Sequence, residues 1–328
     1  MENYKPVIYK PGYNYTEIYS GVPSFMGIPA ARSKEELKGQ DFAFIGIPWE
    51  GGCTIGGHSS CVISPKTIRS VSIRYTGYLP DYDIDSLENM TAVDYGDCAT
   101  VNGDYEFSFK AMAQKYAEAL DAGCIPMVMG GDHSISYPLI SEMAKRHPQK
   151  VGVIHLDAHL DNYPAYGDDL YARCSPFKRL YDNPDIDAGK IVHIGIRGPR
   201  NHKEEYRQAR INNANVILSR EIHDTGWKAA IEKAIALAKD GTDIFYVTVC
   251  SDVLDASMTP DSPMDGCGIS TYELCYMLNA CGRAGAGSMD FVEIYPHPYG
   301  NQQSAHAACW AMLYFMNGVA ALHDNKLE

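Results

Sequence analysis

The sequence lacks features that mark several classes of protein. Its ten cysteines include no pair separated by two residues, which excludes a zinc ribbon and a CxxC redox motif. Several cysteines, among them Cys124, Cys275 and Cys309, lie inside apolar segments. We expect these to be buried, reduced thiols rather than parts of a disulfide framework, as is typical of a cytoplasmic protein.

Basic residues are scarce relative to acidic ones. The chain of 328 residues has 28 lysines and arginines against 41 aspartates and glutamates, which gives a net charge of −13. A surface of this sign repels a phosphate backbone, so we expect no nucleic-acid partner. It favours a small cationic ligand instead.

Long apolar runs are also scarce. Residues 1–15 are too polar for a secretory signal. The most apolar segment, residues 305–322, carries His306 and Asn317 and falls short of a comfortable membrane span. We interpret it as a buried C-terminal helix, and we expect a cytoplasmic protein without a membrane partner.

Short aliphatic and β-branched runs recur along the chain, and helical patterns separate them. Most runs are apolar at every position, which is typical of strands buried on both faces. We predict strands at residues 41–48, 91–96, 125–130, 151–157, 190–198, 215–219, 244–252 and 288–296. We predict helices at residues 105–123, 136–148 and 227–241. The alternation favours the α/β class, with a three-layer, doubly wound sheet of about eight mostly parallel strands.

The domain organisation follows from the absence of a linker. A chain of this length has room for two domains, but no composition shift divides it. We predict a single α/β domain over residues 41–328. Residues 1–40 are rich in aromatic residues and prolines without a clear period, and we predict an N-terminal extension packed on the core.

Residues that can bind metal follow the ends of several predicted strands. The segment "HLDAHLD" (155–161) places Asp157, His159 and Asp161 at alternate positions, which lie on one side of an extended chain. His133 and Asp252 follow two other strands. Because ligands bind at the carboxyl ends of open parallel sheets, these residues could share one cleft. Aspartate with histidine suits Mn, Ni, Fe, Co or Zn. The alternative is that these side chains cap helices and form surface hydrogen bonds.

These segments together resemble the ureohydrolase family, which includes arginases, agmatinases and guanidinobutyrases. The resemblance rests on "MGGDHSIS" (129–136), "HLDAHLD", "IVHIGIRG" (191–198) and residues 250–255. Weaker matches extend it over most of the chain from about residue 19. It implies an arginase-like fold, trimers or hexamers, and hydrolysis of a guanidino compound to urea and an amine. Residues 75–97 are similar to the branch that acts on guanidine or small N-alkyl guanidines, some members of which are nickel-dependent with two kinds of subunit.

The resemblance also implies roles for individual residues. The family uses two divalent metal ions, which would be Mn or Ni here, to activate water for attack on the guanidinium carbon. The matching positions assign one ion to His133, Asp157 and Asp161, and the other to Asp157, His159 and Asp252. Glu293 matches the glutamate that receives the substrate's guanidinium, where two carboxylate oxygens fit a planar fork. Asp157 and Glu293 are therefore the predicted catalytic residues; the alternative for Glu293 is a salt bridge at a strand end.

One departure from the family pattern affects the metal ligands. The family has a pair of aspartates here, and the first of them bridges both ions. In this sequence that position holds Cys250, while Asp252 is retained. A thiolate would keep the negative charge but shift the preference from Mn towards Ni, Fe or Zn. The alternative is a buried neutral thiol. We therefore expect metal occupancy to be partial or absent.

A second departure affects proton transfer and the substrate. The family usually has a proton-shuttling histidine before a segment similar to "SPF" (175–177), and here that position holds Arg173. Arginine stays protonated near neutral pH, so it cannot shuttle a proton, and its charge would repel a guanidinium. The family's glycine-rich substrate loop is also replaced, by "TPDSPMDGCG" (259–268).

Three functions remain open. The chain could be an active amidinohydrolase with an altered metal centre, an impaired subunit assembled with an active paralogue, or a non-catalytic protein that binds a guanidino compound. We favour the impaired subunit, in a homo- or hetero-oligomer, because the bridging ligand and the proton carrier are lost together. The aromatic-rich N-terminal extension and the segment around Trp310 and Phe315 are candidate contact surfaces.

Overall fold

The computed structural model describes residues 23–51, 59–297 and 300–324. Its strands are β1 (Phe42–Gly46), β2 (Tyr78–Leu79), β3 (Ile84–Asp85), β4 (Ala92–Asp97), β5 (Ile125–Met129), β6 (Val151–Leu156), β7 (Ile191–Ile196), β8 (Asn215–Leu218), β9 (Ile244–Cys250) and β10 (Ser288–Val292). Eight of them form a single sheet in the order β4-β1-β5-β10-β9-β6-β7-β8, and every pairing is parallel. All eight strands predicted from the sequence are present, and the α/β class is confirmed. The remaining pair, β2 and β3, forms a small antiparallel hairpin that is too short to show a sequence period.

Helices separate most of the strands. They are α1 (Ser64–Ser72), α2 (Tyr105–Asp121), α3 (Ser136–Arg146), α4 (Pro176–Tyr181), α5 (Lys203–Ile211), α6 (Ser219–Thr225), α7 (Trp227–Lys239), α8 (Thr271–Arg283) and α9 (Gln303–His323). The predicted helices correspond to α2, α3, α7 and α9. The sequence analysis missed the short helices α1, α4, α5 and α6. It also missed the longer α8, although Ser270 and Glu273 form a capping box at its start. That spacing of serine and glutamate was a readable signal for a helix.

The strands are buried on both faces, which gives the fold its three layers. Phe42 and Phe44 face a core shared with α1, α7, α8 and α9. Ala43 and Ile45, at the alternate positions of β1, face a second core shared with α2, α3 and α4. Runs that are apolar at every position follow from this burial, as the sequence indicated.

The C-terminal helix α9 packs closely against α8. A Cβ atom added to Gly318 would lie 2.1 Å from the Asn279 carbonyl oxygen, so only glycine permits this approach. By length and composition α9 could cross a membrane, but 83% of its most apolar window is buried within the protein. The interpretation of residues 305–322 as a buried helix is therefore confirmed.

The residues before β1 pack on the edge of the sheet. The Phe25 ring stacks on the Phe44 ring with 4.0 Å between the ring centroids. The Phe25 backbone N–H donates to Asp94 Oδ2 over 2.8 Å. Residues 23–40 thus contribute to the core, whereas residues 1–22 of the predicted N-terminal extension lie outside the described residues.

Candidate metal centre

The predicted site residues lie together at the carboxyl edge of the sheet. They lie at the carboxyl ends of β5, β6, β9 and β10 or in the segments that follow, and the sheet order makes these four strands neighbours. Most are buried, and they line or underlie a cleft of 870 Å³. The residues gathered there are His133, Asp157, His159, Asp161, Arg173, Cys250, Asp252 and Glu293.

His133 meets two carboxylates at the first half of the centre. Its Nδ1 atom lies 3.0 Å from Asp157 Oδ2 and 3.0 Å from Asp161 Oδ2. All three side chains are buried, and His133 Nδ1 has no hydrogen-bond partner of acceptable geometry. Burial opposes charging of the imidazole, but the two carboxylates hold the pKa of His133 well above its ordinary value.

The hydrogen bonds of Thr248 determine which nitrogen of His133 is available. Thr248 donates its hydroxyl proton to Asp290 Oδ1 over 2.6 Å. Its oxygen therefore accepts from His133 Nε2–H, 3.0 Å away. In the neutral imidazole, the lone pair of Nδ1 then points at two carboxylate oxygens. In the metal-free protein, the raised pKa keeps a proton on Nδ1 that compensates the two carboxylates. A divalent metal ion can replace that proton between the three acceptors, so the residues fit a metal ion.

His159 occupies the second half of the centre. Its Nδ1 atom lies 3.1 Å from Asp252 Oδ2 and 3.4 Å from Asp157 Oδ1. The two oxygens of Asp157 therefore face different histidines, as a carboxylate shared by two ions would. The structure brings together both ligand sets that the resemblance implied.

Cys250 lies between these groups. Its sulfur is within 4.8 Å of ligand atoms of Asp157 and Asp252. The side chain is buried, and burial together with the neighbouring carboxylates raises the pKa of the Cys250 thiol well above its usual range. The thiol is therefore neutral in the metal-free protein, which matches the second of the two alternatives drawn from the sequence.

Glu293 and Arg173 contact each other directly. Glu293 Oε1 accepts from the His133 backbone N–H over 2.7 Å, and Oε2 accepts from Arg173 Nη1 over 2.7 Å. The sequence predicted that both carboxylate oxygens of Glu293 receive a guanidinium, but in the structure only Oε2 faces one. That guanidinium belongs to the chain itself.

Two residues of the centre have an unusual backbone conformation. Asp161 has a φ of 45° and Glu293 a φ of 63°, which non-glycine residues rarely adopt. The Glu293 backbone N–H donates to the Gly131 carbonyl over 2.9 Å, which fixes the conformation. Strain of this kind is concentrated at functional sites.

Comparison with known proteins gives the family. A sequence profile described as the arginase family matches residues 40–317. The chain belongs to the arginase family. It is similar to the human mitochondrial guanidino acid hydrolase, with 29% identity over 85% of this chain and 77% of the relative. It is similar to a guanidinobutyrase of Pseudomonas aeruginosa, with 27% identity over 88% of this chain and 89% of the relative. Its fold is similar to that of a Trypanosoma cruzi formiminoglutamase crystallised with Mn²⁺, with a TM-score of 0.81 and 24% identity over 92% of this chain and 99% of that one.

Within this arginase-family centre, the structure adds a chain of hydrogen bonds that the sequence analysis missed. Asp157 Oδ2 accepts from His155 Nε2, 3.0 Å away. His155 Nδ1 lies 2.7 Å from His193 Nδ1, and His193 Nε2 lies 2.6 Å from the Tyr181 hydroxyl. Burial lowers the pKa of His155 to about 4 and the pKa of His193 well below its usual value, so both rings are neutral. Because ionised Asp157 can only accept, Tyr181 donates to His193, and His193 donates to His155.

The sequence contained a signal for these linked hydrogen bonds. His155 is two residues before Asp157, so an extended strand points both side chains to one side. His193 pairs with His155 in the parallel register of β6 and β7. The consequence is that Asp157 is held in place by a neutral imidazole, in the manner of residues that orient metal ligands.

Asp265 was also missed. It belongs to the segment that replaces the glycine-rich loop, and its Oδ2 atom lies 3.4 Å from His159 Nε2. Arg200 Nη1 lies 2.6 Å from the same oxygen. Burial of Asp265 opposes its charging, but His159 and Arg200 lower the pKa of this carboxyl. The altered loop thus brings an extra carboxylate against a predicted metal ligand.

Proposed function

We propose that this chain is a subunit of a cytoplasmic amidinohydrolase that releases urea and an amine from a small cationic guanidino compound, and that the chain itself is impaired in that reaction. Cys250 carries the proposal: it lies beside Asp157 and Asp252, where the family has a bridging aspartate. A single sulfur replaces two separate oxygen ligands there. The substrate class is supported by the relatives named as a guanidino acid hydrolase and a guanidinobutyrase.

The remaining residues would still bind metal. His133, Asp157 and Asp161 would hold one divalent ion, Mn or Ni, and Asp157, His159 and Asp252 would hold a second one weakly. When bound, such ions lower the pKa of water and so provide a nucleophile near neutral pH. Asp252 Oδ1 accepts from the Ala158 N–H over 3.2 Å, which orients that carboxylate. The missing part is an oxygen ligand between the two halves.

The amount of bound metal should be low because this oxygen ligand is missing. Purified wild-type protein loaded with Mn²⁺ should fall well short of filling both sites, and Cys250→Asp should raise the bound metal because it restores an oxygen bridge. Elemental analysis after removal of free metal measures this directly. Cys281→Ser is the matched control, since Cys281 is buried away from the cleft and should not change metal content. Full occupancy of both sites by Mn in the wild-type protein would contradict the role given to Cys250.

An impaired chain would still contribute to activity as a subunit of an oligomer. Aromatic residues are enriched at protein interfaces. Tyr272 and Trp310 are 59% and 47% exposed, and both line a 550 Å³ pocket between the β2–β3 hairpin, α8 and α9. This surface supports a contact with another subunit. Phe315 is buried, so its expected part in such a surface is wrong.

The assembly is tested by mixing chains. We expect co-expression with a paralogue that keeps both aspartates and the shuttle histidine to give a mixed oligomer that is more active than either chain alone. Asp157→Ala in this chain should leave the activity of the mixture almost unchanged, while the equivalent change in the paralogue should abolish it. Size-exclusion chromatography verifies that assembly is intact, and urea release measures activity. If Asp157→Ala here destroys activity without disturbing assembly, this chain is a working catalyst.

A second candidate is an active amidinohydrolase with an altered centre. It is favoured by the arrangement of His133, whose Nδ1 faces both Asp157 and Asp161 at 3.0 Å. One ion could bind there without Cys250. Urea release by the purified wild-type chain alone, at ordinary enzymatic rates, would establish this function and overturn the first.

A further inference from the structure

The guanidinium of Arg173 is enclosed by carboxylates. Arg173 is only 6% exposed. Its Nη1 atom lies 2.7 Å from Glu293 Oε2, and its Nη2 atom lies 3.6 Å from Glu50 Oε1 and 3.9 Å from Asp132 Oδ2. All three acidic side chains are buried. A buried cation with this many anionic neighbours is strongly stabilised in place.

Two hydroxyl groups complete the enclosure. The Tyr295 hydroxyl donates to Glu293 Oε2 over 2.6 Å and accepts from Arg173 Nη1 over 3.0 Å. The Ser59 hydroxyl donates to Glu50 Oε1 over 2.8 Å, and its oxygen lies 3.4 Å from Nη1 and 3.3 Å from Nη2 of Arg173. Each hydroxyl therefore donates a hydrogen bond to a carboxylate and directs a lone pair at the guanidinium. We call the set of side-chain oxygen acceptors from Ser59, Glu50, Asp132, Glu293 and Tyr295 the guanidinium seat.

The acceptors of the seat suit a planar cation with several N–H donors. Both terminal nitrogens of Arg173 have acceptors within reach, and the Tyr295 ring lies 5.8 Å from the guanidinium carbon. Three carboxylates surround the one guanidinium, so removal of Arg173 would leave buried acidic groups without their cation. An uncompensated cluster of buried carboxylates attracts a replacement cation.

We propose that Arg173 is a built-in occupant of the guanidinium seat, which fills the position that a substrate's guanidinium takes in a catalytic member of the family. Arg173 then determines specificity, because its side chain excludes guanidino compounds from the cleft of this chain. The inference rests on the proposed function for the class of substrate, a guanidino compound, and on the family resemblance for Glu293 as the carboxylate that receives it. It adds to the expected repulsion between Arg173 and a cationic substrate, because the arginine also competes for the same acceptors.

The test is to empty the seat and refill it. Arg173→Ala in the metal-free protein should have a lower Tm than the wild type, and guanidinium chloride far below denaturing concentrations should raise that Tm in a saturable way. Potassium chloride supplies equal ionic strength, and urea supplies the same shape without charge, so neither should stabilise the variant. Arg207→Ala is the matched variant, since Arg207 is exposed and outside the seat. Guanidinium should stabilise neither Arg207→Ala nor the wild type.

Two further measurements make the outcome decisive. Adding Glu293→Gln to Arg173→Ala should abolish the stabilisation by guanidinium, because the carboxylate that contacts Nη1 most closely is lost. If Arg173→Ala does not fold on expression, its refolding by dialysis should recover soluble protein with guanidinium and not with potassium. Equal recovery in both salts, recovery in neither, or no rise in Tm would overturn the inference. These binding results are independent of metal content and of assembly, so full Mn occupancy or a failure to assemble with a paralogue would overturn the proposed function without affecting them. Urea release by the wild-type chain alone would overturn both, because its substrate would have to enter the cleft despite Arg173.

Discussion

Changing Cys250 to aspartate and Arg173 to histidine together should give this chain a rate of urea release about 10²-fold or more above either single variant, since a positioned acid or base typically contributes 10²–10⁴-fold. Cys250→Asp alone restores an oxygen ligand but leaves no proton carrier. Arg173→His alone restores an ionisable group and empties the guanidinium seat, but leaves the metal bridge incomplete. Each single variant therefore keeps one defect.

The measurement is urea released from a panel of guanidino compounds by metal-loaded protein. The same double change with Asp157→Ala provides the control, because it removes the carboxylate that both halves of the centre share. Activity in the double variant that survives Asp157→Ala would show that the urea comes from a contaminant. A double variant with full metal and no activity would show that the altered loop around Asp265, rather than Cys250 and Arg173, limits catalysis.

Arg69→Met should lower the free energy of unfolding by about 3–5 kcal/mol, the usual cost of leaving a buried ion pair without one partner. Arg69 is 5% exposed, and its Nε and Nη2 atoms lie 2.7 and 2.9 Å from the two oxygens of Asp94. Asp94 is 3% exposed and also accepts from the Phe25 N–H. The substitution keeps the apolar stem and removes only the charge and its donors.

Urea denaturation of the metal-free protein gives the unfolding free energy. Arg207→Met, in an exposed pair with Glu204, should change stability by no more than about 0.5 kcal/mol. Combining Arg69→Met with Asp94→Asn should recover part of the loss, because the orphaned carboxylate is then neutral. A loss below about 1 kcal/mol for Arg69→Met would mean that water reaches Asp94 and that the pair is not a structural element of this edge.

Much of the site was predictable because it depends on strand ends. Buried parallel strands have apolar runs, and chemically active residues just beyond them meet at one edge of the sheet. His133 and Asp157 could therefore be placed together without a structure. His155 was overlooked because it lies inside such a run, where a histidine is indistinguishable from a core residue until its partner His193 is known to pair with it.

The role of Arg173 could not be predicted in the same way. The sequence gives its charge and its position before "SPF", and charge alone suggested repulsion of a cationic substrate. Its partners Glu293 and Glu50 are more than a hundred residues away on different elements, so the pairing depends on tertiary structure. Asp265 is similar: a lone aspartate in a loop carries no period, and its contact with His159 arises only when the loop folds over the cleft.

The position of β10 has a consequence for the order in which the molecule can form. This strand is the last of those in the described residues, yet it lies between β5 and β9 in the middle of the sheet. During synthesis from the N-terminus, β5 and β9 emerge first and expose unpaired edges towards each other. Glu293, directly after β10, is also the residue that holds Arg173. Nascent chains that stop before residue 288 would therefore present two unpaired strand edges and an Arg173 without its Glu293 partner, so chaperone engagement should persist until β10 has emerged from the ribosome.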